Sequence, residues 1–409
     1  MKIITIVLTL CAFSVSASSQ ELKALLPQFN SINTNETPHG CGNINTHASL
    51  DSKPEYAHDT YLCSDSKSPL FKNKDHSDIL EMEITVDVRL MYKDAQSIAA
   101  KKKYPAVLKY VDNQGKTVKI PAITSIKGRS RQLCEYVPME FTFLTESEEN
   151  NIKETKELYA EVAQTRGNSI KGVKQDNNIF DKLGRSVRLV THCGDPGDED
   201  WLSGKTKDEQ NQKLLLEFYL YQILDTLKST TLKTRLVKTT YRDPSGNVLD
   251  VAYSFFKESR KDVAKRCNLS LGTSEQIYGN TAINHKGSHS QLKILEYLVA
   301  NPDYGINIYN VDDNGVQTPH NGNVYRYVNS NGERVFAPYD FDSTMIYGGE
   351  ASGSVSAIYD EQKDNAAYIR SKKEEMLQVA RSSLLNPELK SKLESHILNI
   401  MNQIDSKLK

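Results

Sequence analysis

The sequence has no surplus of charge of either sign. Its 409 residues include 51 Lys and Arg against 52 Asp and Glu, so the net charge is −1. Proteins that bind nucleic acid usually carry a basic surplus, and we therefore expect no nucleic-acid partner. Charged residues make up 25% and hydrophobic residues 38% of the chain. This is the composition of a globular protein with room for two or three domains.

Several motifs that would identify an enzyme class are missing. No two cysteines have the Cys-x-x-Cys spacing that is typical of zinc sites, which argues against structural zinc. The sequence has no Gly-x-Ser-x-Gly, so nothing supports a serine hydrolase. No internal repeat is visible, which excludes the solenoid and propeller classes.

Long apolar runs are missing except at the N-terminus. There, Lys2 precedes an apolar run from Ile3 to Val15, and Ser16 and Ala17 complete a small-residue cleavage site. We expect residues 1–17 to be a secretory signal peptide; an uncleaved anchor is the alternative, but the run is short for a membrane span. The mature chain should have no transmembrane segment and should be exported, to a periplasm or to the extracellular space.

Export favours disulfides, because they persist in oxidising compartments. Five cysteines follow the predicted cleavage site: Cys41, Cys63, Cys134, Cys193 and Cys267. We expect Cys41–Cys63 as one bridge, since both lie in a polar stretch, and Cys134–Cys193 as a second. The odd number leaves at least one free thiol, and we interpret Cys267 as a small buried residue.

Strand patterns dominate the first half. Residues 18–78 are polar and predict a loop-rich extension, and residues 79–267 predict a β-rich lobe. In this lobe EMEITVDVRLMY alternates like a strand, and AVLKYVDNQGKTVKIPAI predicts two strands around a turn. Further strands are predicted at MEFTFL, SVRLVTHC and the hairpin LKTRLVKTTYRD–VLDVAYSFFKE. The segment KLLLEFYLYQILDTL is apolar on all sides and predicts a buried helix.

The second half, residues 268–409, predicts mainly helices, such as SQLKILEYLVA and the tail from Asp360. Two short strands, NVYRYV and RVFAPYDFD, interrupt them, and the second ends in Asp340 and Asp342. Carboxylates at the end of a buried strand are costly unless something positive meets them. A metal ion is one interpretation, and a turn is another.

Polar residues follow one another in this half in an informative order. Asp303 follows a helix, Asn321 lies in a His-Asn-Gly-Asn loop, and Asp340 and Asp342 end the hairpin. Phosphoryl transfer needs a carboxylate that orients the attacking hydroxyl, together with amide and carboxylate oxygens that hold Mg²⁺. Such hard oxygen ligands select Mg²⁺ rather than zinc.

In these residues and their order, the sequence resembles the CotH family of atypical kinase-like proteins. The likeness is carried by Asp303, by Asn321 in "HNGNVYRY" and by Asp340 in "PYDFD". A secreted bacterial branch of that family is similar in the first half, at "IKGRSRQLCEYVPMEFTF", "VRLVTHC", "EFYLYQILDTL" and "VAYSFFKESRKDVAKR". The resemblance covers residues 123–344 and leaves out the N-terminal extension.

The resemblance implies an α+β, two-lobed protein-kinase-like fold, with a β-rich N-lobe and a helical C-lobe. It implies ATP and Mg²⁺ (or Mn²⁺) as cofactors. Asp303 would be the catalytic residue that orients the hydroxyl. Asn321, Asp340 and Asp342 would hold the metal, although Asn323 could replace Asn321.

The same resemblance assigns two residues to the nucleotide phosphates. Glu217 would pair with the phosphate-binding cation, for which the strand SVRLVTHC offers Arg188 where a kinase has lysine. Arginine keeps the charge but differs in shape and hydrogen bonding. Lys182 and Arg185 lie close upstream and are alternatives.

Each of these residues also has an ordinary interpretation. Asp303 follows Pro302 at a helix end, where aspartate commonly makes a turn, and Asn321 is in a turn-like loop. The acidic loop "DPGDED" could bind a cation, although such runs are more often solvated. His192 is more readily a structural hydrogen-bonding group than a base.

The main prediction is therefore an exported kinase that uses Mg-ATP to phosphorylate a Ser or Thr hydroxyl of a protein. Its partners would be a nucleotide and a protein substrate. The alternative is a catalytically inactive kinase-like module that binds a partner or a cell surface, because ATP is scarce outside the cytoplasm and Arg188 departs from the kinase pattern. Simple Ca²⁺ binding through "DPGDED" or "DFD" is a third hypothesis.

Overall fold

The structure is a computed structural model. It describes residues 62–72, 78–95, 102–127, 134–143, 178–184, 186–193, 206–278, 283–301, 309–311, 317–319, 325–339, 341, 344–347 and 363–409. The predicted signal peptide and Cys41 lie outside these residues.

Seven strands close into a mixed β-barrel, in the order β1-β2-β3-β4-β5-β7-β6. The strands are β1 (Leu80–Val86), β2 (Tyr104–Val111), β3 (Thr117–Ile126), β4 (Met139–Thr142), β5 (Ser186–Thr191), β6 (Thr234–Arg242) and β7 (Val248–Lys257). Strands β1 and β6 pair in parallel, with Leu80 opposite Val237 and Thr85 opposite Arg242. The other neighbours in the barrel pair antiparallel.

The barrel interior is packed with side chains from alternate strand positions, as the period of two requires. Val187 and Leu189 of β5 and Phe256 of β7 belong to this inner cluster. Phe256 lies in edge contact with Phe141 and with Phe180, at ring-centroid distances of 6.4 and 5.5 Å. Each fully buried side chain of this size contributes about 1.5–3 kcal/mol to folding. The intervening residues of β5 and β7 must face outward.

The described residues form eight helices and five further strands. The helices are α1 (Val88–Ala95), α2 (Lys207–Asp225), α3 (Arg260–Arg266), α4 (Ser274–Tyr278), α5 (Lys286–Leu298), α6 (Lys363–Ser371), α7 (Lys373–Arg381) and α8 (Pro387–Leu408). The remaining strands are β8 (Ser270–Leu271), β9 (Tyr309–Val311), β10 (Gln317–Pro319), β11 (Tyr325–Val328) and β12 (Arg334–Phe336). Strands β8, β11 and β12 form a three-stranded sheet, and β9 pairs with β10.

Helix α2 lies against the outer face of the barrel. Thr206 begins it with a capping box, in which its side chain accepts from the Glu209 N–H and the Glu209 carboxylate accepts from the Thr206 N–H. Phe218 contacts Phe255 of β7, at 5.9 Å between ring centroids. Residues of α2, α5, α7 and α8 share one hydrophobic cluster, which confirms the prediction of a buried helix. This cluster includes residues from both sides of position 267, and the domain boundary expected there stays a prediction.

The expected two-lobed protein-kinase-like fold is wrong. The strands of the first half close into a seven-stranded barrel through the parallel pair β1–β6, and this barrel dominates the fold. Periodicity predicts that a segment is a strand, but it carries no information on which distant strand it pairs with. The closing pair joins residues that are 157 positions apart in the chain, such as Leu80 and Val237.

One strand was also predicted too long. The alternation in EMEITVDVRLMY continues past Val86, but the chain turns into α1 at Val88. Asp87 explains the change, because its carboxylate accepts the N–H of Leu90 at 2.9 Å and its carbonyl accepts the N–H of Met91 at 3.0 Å. These bonds satisfy first-turn donors of a helix.

Two disulfides link distant parts of the chain. Cys134–Cys193 is confirmed, and it joins the segment before β4 to the end of β5. The expectation of Cys41–Cys63 is wrong, because Cys63 pairs with Cys267 across a sequence separation of 204. Cys267 is therefore not a free buried thiol. Such bridges are typical of exported proteins.

In the described part of the chain, every helix is either too short or too polar to cross a membrane.

A buried ion pair ties α3 to the end of β7. Arg266 Nη2 lies 2.9 Å from Glu258 Oε2, with 4% and 1% of the two side chains exposed. Arg266 also donates to the carbonyl of Thr231 at 2.6 Å. Burial raises the pKa of Glu258, and the charge of Arg266 opposes that shift. Removing one partner leaves the other charge buried and uncompensated.

We expect Arg266→Met to lower the free energy of unfolding by about 3–5 kcal/mol, because the Glu258 carboxylate stays buried without its partner. Urea denaturation measures this change. The matched control is Arg381→Met, which removes an exposed pair with Glu394 (Nε–Oε2 3.1 Å) and should cost less than about 1 kcal/mol. Equal losses in the two variants would contradict the prediction.

Candidate functional site

A row of four polar side chains crosses the outer face of the barrel. Arg188 of β5 lies opposite Glu140 of β4 on one side and opposite Lys257 of β7 on the other. Lys257 in turn lies opposite Thr234 of β6. Since the neighbours of Arg188 and Lys257 in their strands face the barrel interior, both cations face outward. They lie on the same side of the sheet as Phe255, which packs against α2.

Two cations directly opposite each other are destabilising unless anions meet them. Glu140 supplies one anion: its carboxylate lies 3.6 Å from Arg188 Nε and 2.8 Å from Lys127 Nζ. The Arg188 side chain is 41% exposed, so water also screens its charge. The row thus places two cations, Arg188 and Lys257, directly beside each other on the outer face of the barrel.

Lys257 is the buried cation of this row, with 8% of the residue exposed. Its ammonium lies 5.6 Å from the ring centroid of Tyr221 and 5.5 Å from that of Tyr339. Aromatic faces attract a cation at these distances, more strongly when water is excluded. The two rings therefore hold the ammonium in place at the carboxyl end of β7.

Tyr221 connects this lysine to two stretches that the sequence analysis singled out. Its ring lies 4.6 Å from that of Phe341, the fourth residue of "PYDFD". Glu217 lies one turn before Tyr221 on α2 and is 2% exposed. Residues four apart share a helix face, so Glu217 is on the side of α2 that carries Tyr221. Helix α2 and the "PYDFD" stretch thus meet beside Lys257. We call Arg188, Lys257, Glu217, Tyr221 and Tyr339 the cation ledge.

The predicted site residues have different outcomes. The structure places Arg188 and Glu217, and it shows Arg188 in an ion pair with Glu140. Asp303, Asn321, Asp340 and Asp342 lie outside the described residues, so their roles stay predictions. Among the residues that are described, no group of three or more His, Cys, Asp or Glu could hold a metal ion.

Sequence reasoning missed Lys257. The signal was present in "VAYSFFKE", where the alternation of β7 places Tyr253, Phe255 and Lys257 on one face. A lysine that continues an apolar face at the end of a strand is a candidate for a buried cation. Only the register shows that this face lies beneath α2 and opposite Arg188.

A second polar cluster lies at the end of the barrel where β5 and β6 end and β7 begins. His192 has a fully buried side chain, and its Nε2 lies 3.0 Å from Asp250 Oδ2. The imidazole stacks on Tyr136, at 4.7 Å between ring centroids. Lys207, the first residue of α2, bonds the other oxygen of Asp250. The cluster therefore fixes the first turn of α2 to β7, which fits the interpretation of His192 as a structural group.

Burial tends to raise the pKa of Asp250, but hydrogen bonds from His192 and Lys207 outweigh it and lower the pKa to about 2. A carboxylate with a lowered pKa stabilises the fold above its unfolded pKa of about 4. That contribution is lost as the pH falls from about 4 to about 2.

We expect Asp250→Asn to lose roughly 2 kcal/mol of stability at pH 6 and to show a flatter fall of stability between pH 4 and pH 2 than the wild type. Urea denaturation at a series of pH values measures both. Glu81→Gln, at an exposed carboxylate of β1, is the control and should follow the wild-type profile. A wild-type slope in Asp250→Asn would show that Asp250 is not responsible.

No family model matches this chain, and neither does any curated protein. The likeness to the CotH family therefore rests on the quoted residues alone.

Proposed function

We propose that this protein is an exported phosphotransferase that binds the phosphates of a nucleotide at the cation ledge. In this proposal it uses Mg-ATP to phosphorylate a Ser or Thr hydroxyl of a protein substrate. The activity is the one that the CotH-like residues suggest. The proposal does not depend on the kinase-like fold that was expected.

One observation carries the proposal. Arg188 and Lys257 stand directly opposite each other on β5 and β7, and the buried Lys257 lies against the ring of Tyr339 in "PYDFD". A polyphosphate needs more than one cation, and burial strengthens the attraction between opposite charges. Lysine supplies a point charge, and arginine supplies a planar fork that matches two phosphate oxygens.

The donor chemistry of the ledge fits a nucleotide. The ammonium of Lys257 and the guanidinium of Arg188 are donors only, which suits the acceptor oxygens of phosphates. Aromatic rings such as Tyr339 also offer a surface on which a base can stack. Mg²⁺, when bound, would neutralise charge between the phosphates. Asn321, Asp340 and Asp342 have the oxygen ligands for it, and Asp340 and Asp342 are the chain neighbours of Phe341.

The side chains would then divide the work between binding and orientation. Lys257 and Arg188 would hold the phosphates, and Glu217 would favour the charged form of Lys257 from α2. Asp303 would accept a hydrogen bond from the substrate hydroxyl and so orient it for attack. Catalysis would come mainly from this positioning and from charge neutralisation.

A second candidate is a catalytically inactive module that binds a partner or a cell surface. The ion pair between Arg188 and Glu140 favours it, because a phosphate would have to compete with the Glu140 carboxylate. ATP is also scarce in a periplasm or outside the cell, the two locations open to an exported protein. Nucleotide binding separates the two candidates.

The test uses the mature protein with Mg²⁺ and labelled ATP. We expect Lys257→Met to weaken nucleotide affinity by about tenfold to a hundredfold, which is the value of a charge-assisted hydrogen bond. The matched control is Lys238→Met, at an exposed lysine of β6, which should bind like the wild type. Isothermal titration measures the affinity, and circular dichroism shows that both variants fold.

Autophosphorylation tests the catalytic part of the proposal. We expect label on the wild type and its loss in Asp303→Ala and in Asp340→Ala. Tight binding of ATP without label, in the wild type, would leave a nucleotide-binding module without transferase activity. Absence of binding and of label would remove the phosphotransferase and leave the partner-binding candidate.

A further inference from the structure

A short N-terminal segment is fastened next to the cation ledge. Residues 63–65, which we call the strap, begin with Cys63, whose sulfur is bonded to Cys267 just after α3. The Cys63 N–H donates to the carbonyl of Lys228 at 2.7 Å. Ser64 donates to the carbonyl of Arg266 through its hydroxyl at 2.8 Å and through its N–H at 3.3 Å. The strap thus lies across the end of α3.

Beneath the strap is the buried ion pair of Arg266 and Glu258. The guanidinium of Arg266 donates to the Ser64 carbonyl at 3.3 Å, as well as to Glu258 and Thr231. Glu258 Oε2 also accepts the N–H of Lys233 at 3.1 Å. The strap therefore supplies one acceptor to the buried ion pair, and the other hydrogen bonds of the pair come from Thr231 and Lys233.

This ion pair lies one residue from the ledge. Glu258 directly follows Lys257, and its N–H donates to the carbonyl of Lys233 at 2.9 Å. Lys233 directly precedes Thr234, the residue opposite Lys257. Glu258, through its backbone and its side chain, thus joins the end of β7 to the residue that precedes β6. In this way Glu258 links Lys257, its neighbour in the chain, to Lys233.

The strap is linked through Lys233 to the helix that carries Glu217 and Tyr221. Lys233 Nζ lies 2.7 Å from Asp225, the last residue of α2, and 3.7 Å from Asp65 of the strap. Lys233 is 6% exposed in its side chain, so these two carboxylates meet a buried charge. The strap therefore contacts Arg266 and Lys233. Arg266 pairs with Glu258, which follows Lys257 in the chain, and Lys233 pairs with Asp225 at the end of α2.

We propose that the Cys63–Cys267 disulfide controls the cation ledge, so that Lys257 reaches its binding position only when the strap is bonded. This inference rests on the proposed nucleotide site and names its regulation. Closing the bridge converts two thiols into one S–S bond. The two protons and two electrons pass to an oxidised dithiol protein, whose own disulfide becomes a dithiol. The protein would be incompetent in a reducing cytoplasm and competent after export.

The two disulfides differ in solvent exposure, and this difference allows the proposed control by Cys63–Cys267 to be tested. Cys63 is partly exposed although its partner Cys267 is 3% exposed, whereas both cysteines of the other bridge are buried, with Cys134 at 0% and Cys193 at 6%. We therefore expect a mild thiol reductant to open Cys63–Cys267 first. Mass spectrometry after alkylation identifies which bridge has opened.

The experiment compares Cys63→Ser/Cys267→Ser with Cys134→Ser/Cys193→Ser as the matched control. We expect the first double variant to bind Mg-ATP at least tenfold more weakly than the wild type and the second to keep most of its affinity. Hydrogen exchange at the amides of Lys233 and Glu258 is a readout independent of nucleotide. Protection of these amides should fall only when the strap is released. Stepwise reduction of the folded wild type gives the same comparison if the first variant does not fold.

The outcomes separate this inference from the proposed function. Unchanged protection and unchanged affinity after opening Cys63–Cys267 would overturn the control by the strap while leaving the nucleotide site. Equal losses of affinity in the two double variants would overturn it as well, since general destabilisation would then explain them. Reduced protection in a wild type that binds no nucleotide would leave the strap coupled to Lys257 and remove the nucleotide proposal.

Discussion

The parallel pairing of β1 with β6 closes the sheet, and this closure decides where the charged side chains of the strands can lie. A closed barrel has only an inside and an outside, and the inside is filled by side chains such as Phe141 and Phe256. Arg188 and Lys257 alternate with inward residues and must therefore face outward. Because α2 covers that part of the outside, a cation that faces outward on β7 is buried all the same. The cation ledge therefore results from the closure of the barrel together with the packing of α2 on its outer face.

Burial of Lys257 is tolerated because of what surrounds it. An isolated ammonium removed from water would be very costly, but two aromatic rings lie near its charge. Arg188, in contrast, is partly exposed to water and forms an ion pair with Glu140. The barrel thus carries two adjacent cations in different environments, of which Lys257 is buried and Arg188 is partly exposed. Such a pair is suited to a ligand with several negative charges.

Both ends of α2 are tied to the barrel by charged groups. At its first turn, Lys207 meets Asp250, which His192 also contacts. At its last residue, Asp225 meets Lys233. The disulfides lie close to these ties, since Cys193 follows His192 and Cys63 begins the strap, whose Asp65 lies 3.7 Å from Lys233. The two disulfides, which are typical of exported proteins, therefore lie near both ends of the helix that carries Glu217 and Tyr221.

The sequence by itself determined the local elements and the stretches that matter. Alternation correctly predicted β2 to β7, the uniform apolarity of KLLLEFYLYQILDTL predicted a buried helix, and Cys134–Cys193 was expected. The sequence also predicts functional roles for Glu217, Arg188 and the "PYDFD" stretch. Only the tertiary structure decided that β1 pairs with β6, that Cys63 bonds Cys267 and that Lys257 lies between Tyr221 and Tyr339. The reason is that periodicity reports which face of a segment is apolar, whereas pairing, cover and disulfide choice depend on contacts between segments far apart in the chain.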